Sequence, residues 1–218
     1  MDIKKLISDA EAGDPQSQYF LASCYYSGRG VEKSNELAME YYLQAADSGH
    51  SGAQFNLAMM YEKGVGVTKS PQRAFELYKK SADNGHIHAQ FNMGMFYQPP
   101  ATYPAPPYYT PSNDLPCEVK SFNYYLMAAK QGHEGAQVNV GKFYKYGMGV
   151  EQSRDLAMEW FAKAASLDNA QAQYNLGELF FEKDSSASMQ NAMKWYEKAL
   201  LNGYSKAKAR IDEIRKRG

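Results

Sequence analysis

The residues here whose types and spacing could do chemistry are three Gly-x-Gly pairs, four histidines, two cysteines and one proline–tyrosine segment. Gly28-Arg29-Gly30, Gly64-Val65-Gly66 and Gly147-Met148-Gly149 would suggest phosphate loops. A nucleotide loop follows a strand and opens a helix, however, and its P-loop form ends in Lys-Ser/Thr. These glycines follow helical patterns, which makes them helix stops. His50, His86 and His133 recur at one spacing, with His88 beside His86. Zinc needs its ligands about 2 Å from one ion, and equivalent residues on packed helices stand roughly 8–10 Å apart or more. These histidines are expected to bond backbone groups, with no metal and no cofactor. Cys24 falls on a core position. Cys117 aligns with serines that cap helices, where a helix N-terminus favours thiolate and adjacent Glu118 opposes it. A thiol-dependent enzyme using Cys117 is the alternative of another class. No serine, cysteine or threonine otherwise sits in a nucleophile motif, so no enzyme activity and no catalytic residue are expected.

Seven of the nine prolines lie between Pro99 and Pro116, and Pro104-Ala-Pro-Pro107 and Pro106-Pro107-Tyr108-Tyr109 match short proline-rich ligand patterns. A polyproline segment binds with little ordering entropy. Tyrosines are uncommon in disordered linkers, so Tyr103, Tyr108 and Tyr109 point to an ordered 98–118 insertion loop packed on the scaffold or presented to a partner.

The elements that must position these residues follow from an internal repeat. Ser-Gln-Tyr-Phe-Leu-Ala (17–22), Ala-Gln-Phe-Asn-Leu-Ala (53–58), Ala-Gln-Phe-Asn-Met-Gly (89–94), Ala-Gln-Val-Asn-Val-Gly (136–141) and Ala-Gln-Tyr-Asn-Leu-Gly (172–177) are one motif in five copies, spaced 36, 36, 47 and 36 residues apart. Each copy predicts two helices. Ala53, Leu57 and Tyr61 give helix A an apolar face. Ser34, Ser70 and Ser153 cap helix B, and Pro71 fits its first position. Ala38, Tyr42 and Ala45-Ala46 form the inner face of helix B, with counterparts at Ala74, Tyr78 and Ser81-Ala82, and at Ala157, Phe161 and Ala164-Ala165. Small residues opposite rings let helices approach closely. Gly49, Gly85, Gly132 and Gly203 end helix B. A helix pair of this size buries its apolar face only by stacking on its neighbours.

The pattern Ala-Gln-aromatic-Asn-Leu-Gly, Gly-x-Gly-Val and Ala-Ala at a 36-residue period resembles the Sel-1-like repeats (SLR), relatives of the tetratricopeptide repeats, over roughly 15–204. The resemblance implies an all-α, α/α superhelical solenoid of five SLR helix pairs: a capping helix at 1–14, repeats at 15–50, 51–86, 87–133, 134–169 and 170–204, and a capping helix at 205–218. Lys206, Lys208, Arg210 and Arg215 are expected to solvate the last of these. It also implies an adaptor or scaffold, or alternatively an immunity protein that neutralises a toxin. Some secreted members pair cysteines within each repeat, and this chain has no such pair.

Composition agrees. Twenty-four basic residues balance twenty-four acidic ones, which argues against nucleic acid. No stretch is apolar enough for a signal peptide or a membrane helix. A soluble, cytoplasmic, monomeric protein without a membrane role is expected, its partner a protein or extended peptide held on the concave face. The asparagine of each motif shares a face with the residue three positions later. This gives a row of Asn56 with Met59, Asn92 with Met95, Asn139 with Lys142 and Asn175 with Glu178, opened by Phe20 and Ser23. The asparagines either hold a ligand backbone or make a contact within every repeat. The variable positions, apolar then charged, would set specificity.

Overall fold

A computed structural model describes residues 2–98 and 116–217. The described residues form twelve α-helices and no strand: α1 (Ile3–Glu11), α2 (Pro15–Ser27), α3 (Asn35–Asp47), α4 (Ser51–Lys63), α5 (Pro71–Asp83), α6 (Ile87–Tyr97), α7 (Cys117–Lys130), α8 (Glu134–Tyr146), α9 (Arg154–Ala165), α10 (Ala170–Phe181), α11 (Ser186–Leu201) and α12 (Ala207–Arg217). They divide into two compact units, residues 2–93 and residues 94–98 with 116–217. In the first, α1 packs on α2, α2 on α3, α3 on α4 and α4 on α5; in the second, each helix from α7 to α12 packs on the next. Each unit is an α/α solenoid segment, with helix A (α2, α4, α6, α8, α10) alternating with helix B (α3, α5, α7, α9, α11).

The helix ends obey local chemistry. Ser34, Ser70 and Ser153 accept hydrogen bonds from Leu37, Arg73 and Leu156 amides, as serine caps do. Cys117 departs from this pattern. It is the first residue of α7, and the capping position belongs to Pro116, whose ring offers no side-chain acceptor.

Helix A is capped by the residues that suggested a metal. Nδ1 of His50, His86 and His133 accepts from the amides of Ala53, Ala89 and Ala136 at 3.1, 3.3 and 3.2 Å. Asp14 and Asn169 do the same in the first and last repeats. The imidazoles therefore replace the usual short polar cap and must be unprotonated at Nδ1 to accept. His50 also stacks on Tyr19, and His86 on Phe55, with ring centroids 4.5 Å apart.

The glycine pairs stop helix A as expected, with Gly28, Gly64 and Gly147 left-handed. The second glycine has a further role. A Cβ on Gly66 would lie 2.9 Å from the Asn35 carbonyl oxygen, and one on Gly149 would lie 2.6 Å from the Glu118 carbonyl carbon. The loop after helix A thus lies against the backbone that starts the preceding repeat's helix B, an approach only glycine permits.

Between A and B the contact is a ring against almost nothing. Cβ atoms on Gly94, Gly141 and Gly177 would stand 2.5 Å from ring carbons of Tyr125, Phe161 and Tyr196. Ala22 and Ala58 hold the same register in the first unit, both fully buried, with Tyr42 and Tyr78 as the matching rings.

One recurring bond joins each helix A to the helix before it. Gln18, Gln54, Gln90, Gln137 and Gln173 are buried, and each donates through Nε2 to the carbonyl eight residues earlier, of Ala10, Ala46, Ala82, Ala129 and Ala165. Those carbonyls lie at the C-terminal end of a helix and also accept a backbone N–H from three residues later, of Gly13, Gly49, Gly85, Gly132 and Asp168, so each glutamine supplies a second hydrogen bond.

The histidine caps make stability fall in acid. Burial, followed by the nearby His88 and His50 charges, holds His86 down to about 4, against an ordinary value of 6.5. The unfolded chain therefore binds the His86 proton more readily. The stability this cap contributes is complete above pH 6.5 and is lost as pH falls from there through about 4. His86→Asn, which installs the cap found at Asn169, is expected to lose less thermal stability than the parent between those pH values, as read by circular dichroism melting.

Candidate functional site

The expected row lies on helix A. In the first unit Phe20 on α2 is 46% exposed, and Met59 on α4 is half-buried. Ser23 is engaged: its hydroxyl donates to the Tyr19 carbonyl and lies 2.9 Å from the Tyr42 hydroxyl. Asn56, on the next helix A, donates to that same hydroxyl at 3.0 Å. Asn92 is half-buried on α6.

In the second unit Met95, one turn further along α6, is 39% exposed. Asn139 on α8 bonds the Tyr125 hydroxyl, which Gln98 also accepts from at 2.9 Å. Lys142 is half-buried, and burial holds its ammonium below the ordinary lysine range. On α10, the Asn175 side-chain amino group is buried and has no hydrogen-bond partner among the described residues. Glu178 accepts from the Tyr196 hydroxyl at 2.5 Å and from Arg210 at 2.8 and 2.9 Å. Burial works to raise the Glu178 carboxyl, but the Arg210 and Tyr196 bonds outweigh it and hold it below the ordinary range.

These contacts share one plan. In repeats one, three and five the hydroxyl of the helix-B tyrosine meets the variable residue of its own repeat, the asparagine of the next, or both, whereas in repeat two Tyr78 donates to Glu62 at 2.8 Å. Asn56 and Asn139 therefore spend their amides on the scaffold. In the fifth repeat Arg210 of α12 takes the asparagine's place, so it does not simply solvate the end of the chain. It bonds Glu178 and Glu213 and lies 4.9 Å from the Phe181 ring centroid.

Tyr103, Tyr108 and Tyr109 lie outside the described residues. Cys117 is half-buried in the first turn of α7. Among the described residues no group of three or more histidine, cysteine or acidic side chains could hold a metal ion. No helix described is long and apolar enough to cross a membrane.

The Sel1 repeat model matches residues 15–50, 51–86, 87–101, 118–133, 135–169 and 170–204, well over half of the chain. The chain belongs to the Sel1 repeat family. The matches at 87–101 and 118–133 flank the proline-rich insertion. Among solved structures, the chain is similar to a protective antigen of uropathogenic Escherichia coli strains that displays an SLR fold (25% identity, TM-score 0.82, covering 98% of this chain and 44% of that one). It is also similar to a Sel1 repeat protein from Oxalobacter formigenes (28%, TM-score 0.69, covering 93% and 76%). A Pseudomonas aeruginosa immunity protein is a looser match (24%, TM-score 0.45, covering 88% and 67%). This chain thus spans less than half of the Escherichia coli protein. Among curated proteins, none matches it.

Sel1 repeats are protein-interaction modules built on a non-enzymatic repeat scaffold. In this Sel1 repeat chain two sets of residues escaped the sequence. The five buried glutamines were visible as a motif, but their carbonyl partners sit on the preceding helix and no local pattern marks them. Arg210 was hidden because α12 matches the A-helix register at 35 residues from α10, aligning Ala207 and Ile211 with buried Ala172 and Leu176. Only that offset places Arg210 opposite Asn175.

The shared hydroxyl makes a definite energetic prediction. Tyr42→Phe is expected to cost about 1 kcal/mol of unfolding free energy, and Asn56→Leu a similar amount. Because both remove one bond, the double variant should fall short of their sum, as a double-mutant cycle by urea unfolding would show.

Proposed function

We propose that this chain is a non-enzymatic adaptor that captures an extended segment of a protein partner along its helix-A row. The observation that carries this reading is the exposure of Phe20 and Met95 on that row. Their neighbours Leu21, Ala22, Met93 and Gly94 are buried in the repeat core. An exposed aromatic ring and a flexible thioether are side chains that anchor partners well, because they bury large area and adapt to its shape. Met59 continues the apolar character, and Lys142 adds a charged position. A ligand with an apolar portion and a charged portion matches that sequence of side chains.

The asparagines support the reading indirectly. With Asn56 and Asn139 held by tyrosine hydroxyls, recognition falls to the variable positions, which suits a scaffold that keeps its framework while changing its specificity. The insertion bearing Tyr103, Tyr108 and Tyr109 interrupts the third repeat beside Met95 in sequence, and long loops on rigid scaffolds commonly carry contacts.

The test is affinity capture from native lysate by the tagged chain and by a Met59→Asp/Met95→Asp variant. The parent is expected to retain a protein that the variant loses by at least about tenfold, with helical circular dichroism unchanged. Equal retention by both would remove the row from the binding surface.

A further inference from the structure

Repeat four breaks the hydroxyl plan. In repeat one the Tyr42 hydroxyl stands between Ser23 of its own repeat, at 2.9 Å, and Asn56 of the next, at 3.0 Å. The equivalent ring in repeat four is Phe161, fully buried and packed against Gly141 just as the tyrosines are packed. It brings a C–H where the others bring an oxygen. The residues equivalent to Ser23 and Asn56 are then Lys142 and Asn175. Both are donors, and both lack an acceptor. The Asn175 amino group is buried and unpaired among the described residues, and the Lys142 ammonium makes no hydrogen bond or ion pair there. Burial alone accounts for its lowered proton affinity, with no carboxylate compensating it.

We propose that Lys142 and Asn175 form a subsite over Phe161 for a carboxylate of the captured partner segment. The inference rests on the adaptor reading and names what the charged end of the row takes. The Asn175 amino group favours an acceptor because an unpaired buried donor costs free energy that a hydrogen-bonded anion offsets, and half-buried Lys142 beside it in the register supplies the matching charge. The fifth repeat supplies an internal precedent. There a carboxylate, Glu178, occupies this register, accepting from the ring hydroxyl of Tyr196 and from Arg210 at the asparagine position. Glu178 is committed to those partners and does not serve Lys142. One cation and one amide fit the single charge and two oxygens of a carboxylate. A phosphate would call on further cations, but Lys145 and Arg154 already share Glu182, at 2.6 and 3.1 Å.

The carboxylate can come from an acidic side chain or from a chain terminus, and three acetylated tetrapeptides separate the two: tetraglutamate amide, tetraalanine free acid and tetraalanine amide. Each is titrated into the full chain while the lysine Nζ resonances are followed by NMR. The Lys142 resonance is expected to shift and saturate with at least one acid and to ignore the neutral amide. Response to tetraglutamate amide assigns side-chain recognition, and response to tetraalanine acid assigns terminal recognition. Lys142→Met keeps the apolar stem and should abolish the site, as read from the Asn175 side-chain amide signals. Phe161→Tyr restores the missing hydroxyl; it is expected to raise the melting temperature while weakening the acid about tenfold or more.

No acid-dependent shift at Lys142, or an equal shift at every exposed lysine, would overturn the subsite. So would a Phe161→Tyr variant that melts lower and binds the acid unchanged. Loss of the subsite with Met59- and Met95-dependent capture intact would leave the adaptor reading standing, whereas the reverse pattern would remove that reading and keep the subsite.

Discussion

The structure depends on one close approach, a ring of helix B laid against a residue of helix A that has at most a methyl group. Where helix A offers glycine, at Gly94, Gly141 and Gly177, not even a Cβ could be added without moving the ring. This contact fixes the depth at which the two helices of a repeat meet. It also fixes where the ring ends. A tyrosine held there must deliver its hydroxyl to the row of helix-A residues, so the packing constraint becomes a polar one. Burial pushes the Tyr78, Tyr125 and Tyr196 hydroxyls well above the ordinary tyrosine range, which keeps them protonated and able to donate.

Each repeat that carries a tyrosine thereby inherits a polar position that something must answer. Ser23 and Asn56 answer it in repeat one, Gln98 and Asn139 in repeat three, and Glu178 in repeat five. In repeat two Tyr78 donates to Glu62 at 2.8 Å. The variable positions are therefore not all free to serve a ligand, because several complete the scaffold. For the proposed ligand the row leaves the exposed Phe20 and Met95, half-buried Met59, and Lys142 where Phe161 has released the position from its structural duty. The second constraint, the buried glutamine reaching back to a helix-end carbonyl, acts between repeats and keeps one pair in register with the next.

Much of this was legible because repetition exposes which positions matter. The five motif copies gave the helix pairs, the serine caps, the glycine stops and the buried rings. Aligning His50, His86 and His133 placed them at one position, which the structure uses as the cap of helix A. Repetition does not show what each position bonds. Gln54 reaches Ala46, Asn84 of the following helix B reaches Gln54, and Gly66 meets Asn35; these partners are set by three-dimensional stacking. The same limit applied at the boundaries. Pro116 displaced Cys117 from the cap of α7, and the 35-residue offset of α12 concealed Arg210 as a partner of Glu178.

The helix-A row competes with other exposed apolar side chains as the place where a partner is held, notably Leu167 at 52% and Leu201 at 86% exposure. A photoreactive benzophenone side chain placed singly at positions 20, 95, 167 and 201, followed by irradiation in native lysate, separates them directly. Adducts with one common protein from positions 20 and 95, and none from 167 or 201, are the predicted result. Adducts from 167 or 201 with none from the row would contradict it.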